Sequence, residues 1–225
     1  MPFRTSMVPV ASSALPFWRR PGHLIRTNAR AYVLLNVAAY GLVLVGFALG
    51  LLFPELNTAR ADALESDGTA DLVRSVVSSA PLFALLIFAV NLFRLSLATI
   101  VLPSLLVPFA GLALFGWWAV ETGVTLVQTT AVGWVALIPH ALTVLIELQA
   151  YVLFLLGAWI LGRSWLRPRS VGVQRHRDGY VRGLESIGLL AVPALILLVV
   201  GAIWEAYSLL YLVHPLSQWL LGGAA

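Results

Sequence analysis

Residues 131–162 read AVGWVALIPHALTVLIELQAYVLFLLGAWILG, and how this stretch is placed decides the fold. A straight helix of that length would measure roughly 48 Å at 1.5 Å per residue, well beyond a hydrocarbon core of ~30 Å. The only acidic or basic side chains in it are His140 and Glu147. An ionisable group at the centre of a lipid-embedded helix costs roughly 2.5–3.5 kcal/mol on insertion scales, so it is kept where it faces protein or water. Pro139 lacks an amide hydrogen and suits a first helical turn. The spacing therefore predicts a short outer segment up to Ile138 and a proline-started spanning helix over 139–162, with His140 in its first turn.

The rest of the chain has the same character. Of 225 residues, 60% are hydrophobic and 11% charged, and the mean hydropathy is +0.92. Soluble domains carry about 25% charged residues, so most of this chain cannot face water. The absence of cysteine excludes disulfides and thiolate metal sites. All 14 Lys/Arg positions are arginine, which rules out a lysine-dependent phosphate loop and argues against ATP hydrolysis. A pI near 10.0 does not signal nucleic acid here, because the arginines flank apolar stretches, where they set topology.

Working outward, residues 31–53 form a first span. A polar, acidic, water-exposed loop with room for a short helix follows over 54–80, with Asp62, Glu65, Asp67 and Asp71 against Arg60 and Arg74. Residues 81–122 are apolar and too long for one crossing; Pro103 predicts a turn near 99–104 that divides them into two spans. The proline-broken stretch is the fourth span. A basic loop over 163–186 carries Arg163, Arg167, Arg169, Arg175, Arg177 and Arg182, and a last span runs over 186–212. The expectation is an all-α polytopic helical membrane protein of about five spans. A basic arm (1–30) precedes a single membrane domain (31–214), and a short tail (215–225) follows.

Orientation follows from the positive-inside bias. A cytoplasmic N-terminus in the cell membrane puts Arg19, Arg20, Arg26, Arg30 and the basic loop inside, with the acidic loop and the tail outside. Arg94, near the inner end of the second span, can snorkel to the same face. Trp117, Trp118 and Trp204 then fall at outer ends, and Trp18, Trp159 and Trp165 at inner ends, as interfacial belts.

Four polar residues in the spans define the candidate site: Asn91, His140, Glu147 and Glu205. His140 and Glu147 are seven residues apart and project from nearly one helix face. Glu147 and Glu205 fall at similar depth in the outer half of the bilayer. Plainer roles stand beside this one. His140 suits a helix start, Glu205 suits an interfacial position beside Trp204 and Tyr207, and Asn91 suits a helix–helix hydrogen bond. Gly41, Gly46 and Gly50 on the first span permit close helix approach. The basic loop suits a protein partner, anionic lipid, or topology alone. No His-Glu-x-x-His pattern is present, and no metal or other cofactor is expected.

Three short elements resemble the stage II sporulation protein M family over roughly residues 28–211. Phe88-Ala89-Val90-Asn91 is similar to its Phe-x-x-Asn. Ile138-Pro139-His140 with Glu147-Leu148-Gln149-Ala150 is similar to its Pro-His-Gly and Glu-Leu-Pro-Ala. Ala202-Ile203-Trp204-Glu205-Ala206 is similar to its last-span Ala-x-x-Glu-Ala. Two departures stand out: Ala141 replaces a glycine, and Glu147 lies seven rather than four residues after the histidine. The resemblance implies a non-enzymatic multi-pass scaffold or assembly subunit of a peptidoglycan-remodelling envelope complex. The competing expectation is a transporter subunit whose buried acids and histidine form a proton or solute path. Under both, the partners are membrane lipids and other envelope or transport proteins, in a homo- or hetero-oligomer.

Overall fold

A computed structural model describes residues 16–66 and 68–222, with the side chains of 60–65, 69, 70 and 73 left aside. Among the described residues every regular element is a helix: α1 (Arg20–Thr27), α2 (Ala29–Leu52), α3 (Pro54–Ser66), α4 (Thr69–Val76), α5 (Ala80–Ala89), a π-wound stretch (Val90–Val101), α6 (Leu102–Leu106), α7 (Ala110–Thr125), α8 (Ala131–Leu166), α9 (His176–Tyr211) and α10 (Val213–Leu221). Four helices are long and apolar enough to cross a membrane: α2, the continuous Ala80–Leu106 helix, α8 and α9. The protein is thus an all-α polytopic membrane protein. The fifth bundle helix, α7, has 16 residues, or about 24 Å.

The bundle is built around α8. Two thirds of its most apolar window is buried (67%), against 22% for both α2 and Ala80–Leu106. Those two turn their remaining apolar surface outward, as Leu34, Val37, Leu44, Leu85 and Phe93 show. A largely apolar outer face, interrupted by Arg94, suits lipid, and a buried central helix is the core the others pack on. Helix directions follow from side-chain register. Leu42, Val120 and Val124 lie against Gly116, Gly46 and Gly50, so α2 and α7 run parallel. Tyr32 and Tyr40 reach Gln149 and Leu145, so α2 and α8 run antiparallel. Gly179, Gly183 and Gly157 abut Ser164, Leu161 and Ile187, so α8 and α9 are antiparallel too.

The chain departs from sequence expectation at its prolines. The second apolar block turns at residues 107–109 and not near Pro103. Pro103 sits at the start of α6, directly after the π-wound stretch, where the helical register changes and a missing N–H is tolerated. Pro108 makes the real break: Val107 is extended (φ −132°, ψ 123°), as a residue before proline must be, and Phe109 is left-handed (φ 67°). The Phe109 ring lies against Gly162, whose missing side chain leaves the room. Nor does Pro139 break its helix, which continues from Ala131 to Leu166. Neighbouring helices make such prolines tolerable in membrane bundles; α9 packs alongside this one, where its Trp204 indole donates to the Pro139 carbonyl at 3.0 Å, a separate acceptor from the Val135 carbonyl that the proline leaves open. His140 consequently lies well inside α8, not in a first turn.

The polar segments are more helical than expected. The acidic loop is largely the two short helices α3 and α4. The basic loop shrinks to the link between α8 and α9 with its one turn of 3-10 helix, Pro168–Val171. Arg163 belongs to α8, Arg177 and Arg182 belong to α9, and Arg167, Arg169 and Arg175 lie between. Both helices have 36 residues, more than a ~30 Å hydrocarbon core requires. Pro215 falls inside α10 and opens no irregular tail. Of the N-terminal arm, residues 17–27 are helical and 1–15 lie outside the described residues, as do 223–225 of the tail. Moving the turn also moves Arg94: it lies twelve residues before the end of α6, near mid-span rather than at the inner end.

Candidate functional site: a cavity between α5, α8 and α9

The four polar span residues line one cavity of about 270 Å³. Asn91 comes from the π-wound stretch, His140 and Glu147 from α8, and Glu205 from α9. The Asn91 side-chain amide donates to Glu147 Oε1. Glu147 Oε2 accepts from the Tyr151 hydroxyl at 3.4 Å, one turn further along α8. His140 Nδ1 stands 3.4 Å from Glu205 Oε1, an ion pair when the ring is protonated. The two acids are therefore held by different partners yet face one space.

Backbone winding positions these groups. Asn91 is the second residue of twelve with π winding; the Ser96 hydroxyl donates to the Asn91 carbonyl and the Thr99 hydroxyl to the Arg94 carbonyl, each across five residues. Such winding is rare and concentrates at functional sites. On α9, Gly201 makes room for Glu147: a Cβ there would lie 3.2 Å from Glu147 Cγ. The cavity extends toward Leu72 of α4 and Thr122 of α7, the side that carries α3 and α4. At its other end Tyr151 is fully buried within an aromatic cluster. Its ring centroid lies 6.1 Å from Phe115 and 5.4 Å from Trp118, and those two are 5.4 Å apart. Trp118 and Trp204 thus face protein, whereas Trp117 and Trp18 remain largely exposed.

Sequence reasoning missed Tyr151 and Gly201 as parts of this site. The signal for Tyr151 was its spacing of four from Glu147. It also missed a second network on the opposite side of α8. Gln149 accepts from Tyr32 at 2.8 Å and donates to Asn36 at 2.7 Å and Tyr40 at 2.8 Å. Tyr32, Asn36 and Tyr40 recur every fourth residue, a polar stripe on α2 that was legible in the sequence. The six arginines of the basic loop do not approach the cavity. Among the described residues, no three His, Asp or Glu side chains gather as a metal ion would need.

Comparisons with protein-family models, with curated proteins and with solved structures give no match to this chain.

Proposed function

We propose that the chain is a non-enzymatic subunit of a membrane transport system in which Glu147 and Glu205 bind a proton or a small cationic group. One observation carries this reading: two carboxylates from different helices line one cavity with His140 and Asn91. Carboxylates at membrane depth are expensive unless they serve such a path. The cavity reaches toward the α3–α4 side and stops at the Tyr151, Phe115 and Trp118 cluster, which fits a site loaded from one side only. With the N-terminus in the cytoplasm of a cell with one plasma membrane, that side is external.

The test uses the absence of cysteine. Val144→Cys places a single thiol on the cavity wall. A cationic methanethiosulfonate should modify it about tenfold faster than the anionic analogue, the size of effect that one to two nearby charges exert. Glu147→Gln with Glu205→Gln should erase the difference. Equal rates for both reagents on the unchanged cavity at alkaline pH, where no proton fills the site, would refute the proposal.

A second reading, an assembly subunit of an envelope complex as the family resemblance implies, is favoured by Arg94. Glu147 lies about 24 Å of helix above Arg163, and Arg94 follows Asn91 by one turn, so Arg94 sits about 20 Å above the inner arginines. That is farther than a side chain snorkels. The residue is exposed, and an exposed guanidinium at that depth calls for a partner helix carrying an acid. Arg94→Gln should then release the chain from its complex on native gels, whereas unchanged migration would remove this support.

A further inference from the structure

The inner end of the bundle holds a second built feature, independent of the cavity above. A groove of about 760 Å³ runs between the α1–α2 junction and α8. Its polar rim is Arg26, Arg30 and Arg163, and its apolar floor includes Leu34, Ala38 and Trp159. Arg26 precedes and Arg30 follows the break at Asn28, where the Asn28 side chain donates to the Leu24 carbonyl at 3.0 Å. From α8, the Arg163 guanidinium stands over the Trp159 ring, 5.3 Å from its centroid. That stacking holds one charge at the rim while the indole covers the floor.

We propose that this groove binds an anionic phospholipid of the inner leaflet, with its phosphate at the three arginines and an acyl chain along α2. Three guanidiniums from three helices, α1, α2 and α8, line one groove with no acidic residue among its lining. Like charges gathered this way call for a counter-anion, and arginine's fork suits phosphate oxygens. A soluble anion would use the rim alone. The groove instead continues onto Leu34, which is 68% exposed on the lipid-facing side of α2, so a headgroup at the rim carries its chain directly onto apolar surface. Basic recesses between spans on the cytoplasmic side are characteristic headgroup sites. Bound there, the lipid would tie α1 and α2 to α8.

Native mass spectrometry of the full chain in mild detergent tests this with phosphatidylglycerol, phosphatidylcholine and inorganic phosphate as probes. Phosphatidylglycerol should be retained at least tenfold more tightly than phosphatidylcholine. Each arginine contributes about fivefold near a membrane surface, so R163Q alone should weaken retention about fivefold and R26Q/R30Q/R163Q about a hundredfold. The set R169Q/R175Q/R177Q, which removes as much charge outside the groove, should leave retention unchanged. Equal retention of both lipids would overturn the proposal and leave the arginines as topology anchors. Equal loss with the outside set would show diffuse surface charge instead. Phosphate binding as tight as that of phosphatidylglycerol would show a soluble-anion site.

Discussion

Gly46→Ala is the substitution whose outcome the structure determines most sharply. A Cβ on Gly46 would lie 2.0 Å from the Val120 carbonyl oxygen and 2.8 Å from its carbon; on Gly123 it would lie 2.1 Å from the Val43 oxygen. Carbon–oxygen contacts settle at about 3.3–3.6 Å, so α2 and α7 must part by roughly 1.3 Å. A gap of 0.5–1 Å already forfeits about a quarter to a half of a dispersion contact, and dispersion is the main force joining helices in lipid. The expected loss is about 2–3 kcal/mol, the upper range of overpacking. Gly41, on the same helix, meets nothing within 4 Å, so Gly41→Ala should stabilise α2 by about 0.5–1 kcal/mol through backbone entropy alone. Unfolding of both variants in identical nanodiscs should separate them by about 3 kcal/mol. Gly46→Ala with Gly123→Ala should cost less than the sum, because one separation relieves both clashes. If Gly46→Ala proves as harmless as Gly41→Ala, the two helices do not approach as described and the reasoning fails.

Gln149→Leu removes three side-chain hydrogen bonds to α2 and should lower stability by about 1–2 kcal/mol in the same assay, with Val144→Cys reactivity unchanged because the network lies away from the cavity. The Asn57 amide donates to the Val124 and Val127 carbonyls at 3.1 and 2.7 Å, so Asn57→Ala should leave the end of α7 open and cost about 1 kcal/mol. Hydrogen exchange should accelerate over residues 121–127 and not in α8. Single cysteines test whether α7 crosses. Ser78→Cys and Thr129→Cys should react with an impermeant maleimide on intact cells, and Val107→Cys only after lysis. Labelling of Val107→Cys and Thr129→Cys from the same side would reduce the crossings to four.

Much of this molecule was legible before any coordinates. Apolar runs longer than a bilayer is thick, flanked by arginine, leave the chain no fold but a helical bundle in lipid. The candidate residues were legible for a related reason: an asparagine, a histidine and two glutamates within such runs need partners. Which partners was not legible. Glu147 takes Asn91 and Tyr151, and Glu205 faces His140. Those pairings depend on how far each helix is rotated and shifted, which π winding in one and an unbroken proline in another both altered.

The positions of breaks show the same divide. Pro103, Pro108, Pro139 and Pro193 each lack the same amide hydrogen, yet only the second ends a helix. A missing N–H is a local deficit, and whether it breaks the chain depends on what packs alongside. Glycines obey the same rule. Gly41 and Gly46 are equivalent letters in one apolar helix, and only the arrival of α7 makes the second irreplaceable. Composition and run length thus determined that the chain is a bundle of membrane helices carrying buried polar groups. Tertiary packing decided which of those groups meet and which small residues the bundle depends on, because both are set by rotation and depth between helices that lipid alone leaves free.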